Sequence, residues 1–187
     1  MSLSGDDRDA VFGRLFERRV VVANGRLDSA LANEVAAQLL TLDDERGAPI
    51  ELLLDCPDAV LDPSFALLDV CEGLEAPLTV IVGGRLTGAG VALLAMHNPR
   101  HRRLGRPHAT MRLAEPHVDR AHGTAEAVAR FAEEQRRQLG VLIDRIAERT
   151  SRPSVLVADD ISRGLFLTSE EAVAYGLLDD VARRAPS

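Results

Sequence analysis

The stretch TVIVGGRLTGAG, residues 79–90, joins an apolar run to four glycines within eight residues, and the apolar run VALLAM follows at once. The pattern predicts a buried strand, a glycine loop and a helix. A junction of this kind typically either cradles a phosphate group or presents a nucleophile at a helix N-terminus. The function of the chain therefore depends on which of these two roles the loop can serve.

The spacing of the glycines argues against a nucleotide site. A dinucleotide-binding turn needs G-x-G-x-x-G, whereas Gly83, Gly84, Gly88 and Gly90 give G-G-x-x-x-G-x-G. A phosphate-binding P-loop needs a lysine, and all 22 basic residues of this chain are arginine. The loop also follows the third predicted strand, whereas the dinucleotide turn generally opens its fold. We therefore expect no cofactor.

Length and composition indicate one globular domain over residues 1–187, with a flexible start at 1–14. The contents of 46% hydrophobic and 27% charged residues are ordinary for a globular protein. The net charge of −7 argues against a partner that is a nucleic acid or a membrane surface. The basic segment RHRRLGR, residues 100–106, reads as a solvated loop and strand edge.

The cysteines and the N-terminal segment indicate the cellular compartment of the protein. Cys56 and Cys71 lie in apolar segments without metal-ligand spacing, which predicts buried, reduced thiols and no metal site. The N-terminal segment is charged throughout and has no apolar signal region, and no apolar run approaches membrane-spanning length. We therefore expect a cytoplasmic protein that is neither secreted nor inserted in a membrane.

Strand and helix patterns alternate over the first part of the chain. Asp28 is predicted to cap the helix after the first strand, and Asp62 with Pro63 to open the next helix. The alternation predicts right-handed βαβ units, and hence an α/β fold with a mainly parallel twisted sheet and flanking helices. The predicted strands are RVVVA (19–23), IELLLD (50–55), LTVIV (78–82) and TMRLA (110–114).

The last third of the chain is mainly helical by pattern. Thr124 is predicted to cap a helix over residues 125–150, which is long for a compact domain and is expected to project as a handle. A shorter helix follows, and TSEEAVAYG has a capping box before the closing strand LLDDV. The apolar stripe of the long helix is expected to contact a partner, although the same residues would be core if the helix lay flat over its own sheet. The stripe consists of Val128, Phe131, Leu139, Leu142 and Ile146.

Five segments, in order over residues 15–181, resemble ClpP, the proteolytic subunit of the Clp protease. The segment LFERRVVVANGRLDSALANEVAAQLLTLD resembles the strand, turn and helix that open the family, and IELLLDCPDAVLD resembles IxLYINSPGGxVxxG. The glycine segment GGRLTGAGVALLA resembles GxAASMGAxLLAAG, and RPHATMRLAEP resembles LPNSRxMIHQP. The closing segment SRGLFLTSEEAVAYGLLDDV resembles xRDxFMSAxEAxxYGLIDxV. The resemblance implies a ClpP/crotonase-like fold with a handle helix.

The catalytic residues of that family do not carry over. On the shared glycines, the position of the family's serine falls on Gly88, and an ungapped alternative places it on Ala89. The histidine position falls on Ala114, immediately before Glu-Pro, and the aspartate position falls on Gly164. The resemblance therefore implies a member of the family without ordinary serine-protease chemistry.

The oxyanion positions of the family are also changed. The two glycines of its PGG motif, whose backbone forms part of the oxyanion site and holds extended substrate, fall on Asp58 and Ala59. The resemblance thus implies a subunit comparable with the inactive ClpR type, acting through assembly. Family members form rings of seven that stack in pairs through the handle helices. The implied partners are copies of this chain or ClpP-like subunits, with a AAA+ unfoldase such as ClpX or ClpC.

Two alternatives remain open from the sequence. The first is a displaced triad, in which Thr87 is the nucleophile, His117 is the base, and Asp159 or Asp160 orients the histidine. The plainer interpretation of these side chains is a turn hydroxyl, a loop residue and a solvated helix end. The second alternative is acyl binding, because crotonase enzymes share the architecture and hold acyl-CoA through two backbone N–H groups, although no segment here specifically indicates a CoA site.

Overall fold

The computed structural model describes residues 5–43, 47–116 and 123–182. Strands and helices alternate along the chain, so the predicted α/β class is confirmed. The helices are α1 (Gly5–Glu17), α2 (Ser29–Leu42), α3 (Leu61–Gly73), α4 (Ala125–Thr150), α5 (Ser154–Arg163) and α6 (Ser169–Tyr175), with a 3₁₀ helix at Gly88–Leu94. The strands are β1 (Val20–Leu27), β2 (Ile50–Ala59), β3 (Leu78–Thr87), β4 (Arg102–Gly105), β5 (Thr110–Arg112), β6 (Phe166–Thr168) and β7 (Asp180–Val181).

The strands form one mainly parallel sheet in the order β1-β2-β3-β4-β7. Strand β5 pairs in parallel with the last residues of β3, and β6 pairs with β5 in the antiparallel sense. Helices flank this sheet, and apolar side chains from helices and strands share one buried core. The carboxyl ends of β2, β3 and β5 lie at the same edge, which is where open α/β sheets usually bind ligands.

Strand β3 is longer than the sequence pattern predicts. The predicted strand ends at residue 82 and a glycine loop follows, but in the structure Gly83 and Gly84 are part of the strand, which continues to Thr87. The extension exists because β5, a partner distant in sequence, pairs with residues 85–87. Glycine is favoured at residue 84, since a Cβ atom there would lie 2.5 Å from Oδ1 of Asp55 and would displace that carboxylate. The predicted helix VALLAM is the end of the 3₁₀ helix instead.

Three of the four predicted helix caps are confirmed, the Thr124 cap of α4 among them, and one is wrong. The Asp28 carboxylate accepts hydrogen bonds from two amides of α2, and Thr168 with Glu171 forms the predicted capping box of α6. Helix α3 begins at Leu61, so Asp62 lies in its first turn and is not its N-cap. Val60 is the N-cap instead, because its carbonyl oxygen accepts the first helical hydrogen bond, from the Ser64 N–H at 3.2 Å.

Helix α4 has the predicted bounds and the predicted Thr124 cap. Its first turns are exposed, so this part projects as a handle, whereas its last turns pack against α5 and the 3₁₀ helix. Leu142 and Ile146 are 1% and 0% exposed, so they belong to the core of this chain and the predicted exposed stripe is shorter than expected. Val128 and Phe131 remain 39% and 36% exposed, and Leu139 is partly buried.

The sequence predicts a solvated loop and strand edge at residues 100–106, but part of this basic segment is buried in the structure. It contains β4, which lies between β3 and β7, so His101 and Arg103 are buried. The His101 ring is held by two backbone groups: Nε2 donates to the Cys71 carbonyl oxygen at 2.7 Å, and Nδ1 accepts from the Leu78 N–H at 3.2 Å. Burial lowers the pKa of His101 below its usual 6.5.

The buried His101 predicts a loss of stability in mild acid. A folded pKa below the unfolded value means that the unfolded chain binds the proton more readily, so stability falls as pH drops below about 6.5. Protonation would also remove the acceptor for the Leu78 N–H. Urea unfolding at pH 7.5 and 5.5 should show a smaller pH effect for His101→Gln than for the unmodified chain. His108→Gln, which changes an exposed histidine, should keep the full effect; equal pH effects in all three proteins would contradict the prediction.

The remaining predictions concern the N-terminal segment and the thiols. The structure has helix α1 where the sequence predicts a flexible start, and the flexibility itself stays a prediction. Cys56 and Cys71 are free and buried, as predicted, and burial raises the pKa of each thiol to about 12, which makes both poor nucleophiles. No helix in the described part of the chain is long and apolar enough to span a bilayer.

Candidate functional site

A cavity of about 480 Å³ lies at the carboxyl edge of the sheet. The ends of β2, β3 and β5 form one side of it, and the C-terminal end of α5 closes the other. The sequence folds this way because the parallel strands end together and α5 stops at Gly164, which adopts the left-handed conformation with φ of +67°. The cavity is large enough for a small ligand or a short peptide segment.

The three triad positions implied by the family resemblance line this one cavity. Gly88, the serine position, begins the 3₁₀ helix with φ of +57°. Ala114, the histidine position, lies beside it: a Cβ atom placed on Gly88 would be 3.6 Å from the Ala114 carbonyl oxygen. Gly164, the aspartate position, lies across the cavity at the end of α5. The three positions that the resemblance assigns to the triad thus share one cavity, and none of them has a nucleophile, a base or a carboxylate.

An arginine that the sequence reasoning missed occupies the aspartate side of the cavity. A Cβ atom on Gly164 would lie 2.9 Å from Nη2 of Arg112, so the guanidinium covers the place from which an aspartate would project. The guanidinium carbon also lies 4.9 Å from the centre of the Phe166 ring. One feature of the sequence could have indicated this residue: an arginine stands at the end of the short strand β5, where the family segment has an apolar residue.

Two of the three oxyanion positions implied by the resemblance line the cavity, and the third is buried. Asp58 and Ala59 line the cavity at the end of β2, and Asp58 forms an ion pair with Arg26, with Nε and Oδ2 3.3 Å apart. Ala89 is fully buried behind the cavity wall. A carboxylate therefore lies in the cavity wall, at a position that the family resemblance assigns to an oxyanion glycine. A negative charge at such a position would oppose oxyanion stabilisation.

The displaced-triad residues are only partly brought together. Thr87 lines the cavity, and its hydroxyl makes no cap hydrogen bond to the 3₁₀ helix. His117 lies outside the described residues. Asp159 pairs with Arg163 at 3.0 Å, so its carboxylate is already occupied.

Asp160 is likewise engaged within the fold. It accepts from Nη2 of Arg163 at 2.7 Å and from the Tyr175 hydroxyl at 2.8 Å. Burial and this bond to the carboxylate raise the pKa of Tyr175 well above its ordinary value, so the phenol stays protonated and keeps donating. Asp160 therefore links α5 to α6. Across the described ranges, no group of three or more His, Cys, Asp or Glu side chains is arranged to hold a metal ion.

Comparison with known proteins supports the resemblance seen in the sequence. A family model described as Clp protease matches residues 4–185. The ATP-dependent Clp protease proteolytic subunit 4 of Streptomyces avermitilis is 29% identical over 171 residues, covering 91% of this chain and 75% of the relative. The ATP-dependent Clp protease proteolytic subunit 2 of Streptomyces coelicolor is 28% identical over 91% of this chain and 78% of the relative. The ATP-dependent Clp protease proteolytic subunit 1 of Rhodococcus jostii is also 28% identical, over 91% of this chain and 77% of the relative. Because the family model spans nearly the whole sequence, the chain belongs to the Clp protease family.

Proposed function

We propose that this chain is a catalytically inactive ClpP-like subunit, which acts by assembling into a ring with copies of itself or with active ClpP-like subunits. In such a ring it would dilute active sites, reshape the chamber or alter the docking of a AAA+ unfoldase. The observation that carries the proposal is the cavity itself, whose three triad positions are occupied by Gly88, Ala114 and Gly164.

The magnitude of the loss supports inactivity over weak activity. In subtilisin, removal of the serine or the histidine alone lowers turnover about 2 × 10⁶-fold. The residual catalysis of about 10³–10⁴ over water depends on an intact oxyanion hole and substrate binding. Here Asp58 stands at an oxyanion position, so the residual contribution is opposed as well.

One observation favours the second candidate, a peptidase with displaced residues. Thr87 lines the cavity next to the serine position, and its hydroxyl oxygen has no hydrogen-bond partner among the described residues. Peptidase activity that disappears in both Thr87→Ala and His117→Ala would establish this candidate. Activity that survives Thr87→Ala would identify a contaminant.

Purification with native neighbours tests the assembly role. The tagged chain is isolated from the host that produces it, its size is measured, and the proteins that elute with it are identified by mass spectrometry. Co-elution with an active ClpP-like subunit supports a mixed ring. A single-component oligomer without peptidase activity supports a ring of its own, whereas a monomer without ClpP-like neighbours would overturn the proposal.

The exposed start of α4 supplies the surface for the assembly prediction. Val128 and Phe131 are large apolar side chains on a projecting helix, and Leu139 continues their stripe toward the core. Burial of one such side chain stabilises an interface by about 1.5–3 kcal/mol, and a symmetric assembly repeats this contribution at every subunit.

Phe131→Asp is therefore expected to give a smaller, still folded species. Size-exclusion chromatography with light scattering measures the particle mass, and circular dichroism confirms the fold. Val155→Asp is the matched control, because Val155 is an exposed apolar residue outside the handle; we expect it to leave the particle mass unchanged. A Phe131→Asp protein with full particle mass and unchanged stability would contradict the interface.

A further inference from the structure

Two unpaired polar atoms lie in the wall of the cavity. The Oγ1 atom of Thr87 and the Nε atom of Arg112 are both buried, and neither has a hydrogen-bond partner among the described residues. Buried polar atoms in folded proteins are nearly always paired, so each such atom calls for an explanation. Both residues line the same cavity, which suggests one shared explanation.

The sheet register places these two side chains next to each other. Thr87 and Arg112 are direct partners in the parallel pairing of β3 with β5, at the ends of both strands. Side chains of directly paired residues lie on the same face, about 5 Å apart at their Cβ atoms. A hydroxyl and a guanidinium side by side offer several hydrogen-bond donors, and the guanidinium offers no acceptor.

The charges around the cavity limit the class of ligand. Arg163 is paired with Asp159 and Asp160, and Asp58 is paired with Arg26. Arg112 has no ion pair with a described carboxylate, so one positive charge faces the cavity without a counter-charge. The carboxylates of Asp58 and of the exposed Glu115 also line it, which disfavours a doubly charged phosphate. A singly charged acceptor fits best.

We propose that Thr87 and Arg112 form a carboxylate-binding site. The terminal nitrogens of the guanidinium, which are not among the buried unpaired atoms, are the charged donors, and the Thr87 hydroxyl becomes the second donor when its side chain rotates toward the cavity. Arg–carboxylate contacts are often bidentate and are among the stronger hydrogen bonds in proteins. The carboxylate could belong to the C-terminus of a peptide or to a small organic acid. The inference rests on the proposed function and deepens it, because it names the ligand that the cavity of a catalytically inactive subunit would bind.

Calorimetry on the full chain tests the site with three probes: N-acetyl-Ala-Ala as the free acid, the same dipeptide as the C-terminal amide, and sodium acetate. We expect the free acid to bind at least about tenfold more tightly than the amide, the loss typical of one charge-assisted hydrogen bond. Arg112→Gln should abolish the preference for the free acid over the amide. Arg112→Lys keeps the charge but cannot donate two parallel hydrogen bonds to a carboxylate, so it should reduce this preference. Thr87→Val should weaken binding of the free-acid dipeptide several-fold. This variant tests the site if Arg112→Gln fails to fold.

The control is Arg102→Gln, which removes the same charge from an exposed position on β4 and should leave binding unchanged. Strong binding of the dipeptide acid with weak binding of acetate supports a peptide C-terminus, and equal binding of both supports a small acid. Equal binding of acid and amide, no binding of any probe at millimolar concentration, or full preference in Arg112→Gln would overturn the site. Cleavage of a fluorogenic peptide by the unmodified chain would instead overturn the proposed inactivity, and would leave the carboxylate preference to be decided by the calorimetry.

Discussion

Asp179→Ala is expected to lower the free energy of unfolding by about 3 kcal/mol, because it leaves a buried guanidinium without its counter-charge. The Asp179 side chain is 33% exposed, so the loss lies at the lower end of the range for broken buried pairs. The Arg103 side chain is 3% exposed, and its Nε donates to Asp179 Oδ2 at 3.2 Å while Nη2 contacts Oδ1. The Asp179 carboxylate also accepts from the Arg103 backbone N–H at 2.7 Å. After the substitution, Nη1 keeps its bond to the Leu94 carbonyl oxygen at 3.0 Å, and the rest of the guanidinium loses its partner.

The measurement is urea unfolding followed by circular dichroism, at one protein concentration because assembly also contributes to stability. A change of this size corresponds to a fall in Tm of roughly 10 °C for a chain of this length. The matched control is Glu126→Ala, which removes one partner of the exposed Arg130–Glu126 pair and should cost no more than about 0.5 kcal/mol. Equal losses in the two variants would show that the Arg103 guanidinium is not buried as described.

The helices of this chain could be predicted from sequence because their signals are local. The Thr124 cap, the Thr168–Glu171 capping box and the stop at Gly176 all lie within the elements that they define, and the structure has each of them. One local signal failed, the Asp62 cap, because α3 begins one residue before Asp62. The other signals that failed depend on distant partners. The glycines after residue 82 read as a loop, and they are strand because β5 pairs beside them.

The same distinction explains the result for the site. Matching motifs placed three family positions on Gly88, Ala114 and Gly164, and the structure brings these positions to one cavity. Sequence could not show that Arg112 covers Gly164, since that contact joins the end of β5 to the end of α5. Nor could it show that Leu142 is core, because the burial of α4 depends on where α5 and the 3₁₀ helix lie.

Rebuilding the triad is expected to fail, and the unmodified chain is expected to hydrolyse peptides at least about 10⁶-fold more slowly than an active family member. In the variant Gly88→Ser, Ala114→His, Gly164→Asp, the serine must adopt a φ near +57°, which disfavours a residue with a Cβ atom. The introduced aspartate would project into the guanidinium of Arg112 and pair with it instead of orienting the histidine. Asp58 would still oppose the oxyanion.

Hydrolysis of a fluorogenic peptide by the triple variant and the unmodified chain, side by side, measures this failure. Robust turnover by the triple variant would show that the catalytic geometry is intact and that only side chains are missing. Adding Thr87→Ala to both proteins is the control, because activity that persists without any hydroxyl at residue 87 cannot come from the displaced nucleophile.

The most direct test of the inactive cavity is labelling of the purified, assembled chain with a serine-reactive fluorophosphonate, read by intact mass and compared with an active ClpP-like subunit treated in parallel. The active subunit should gain one label per chain. The absence of a nucleophile from the triad positions predicts no mass increase for this chain under the same conditions. A stoichiometric adduct on Thr87 that is lost in Thr87→Ala would contradict the account and establish the chain as a peptidase with a displaced nucleophile.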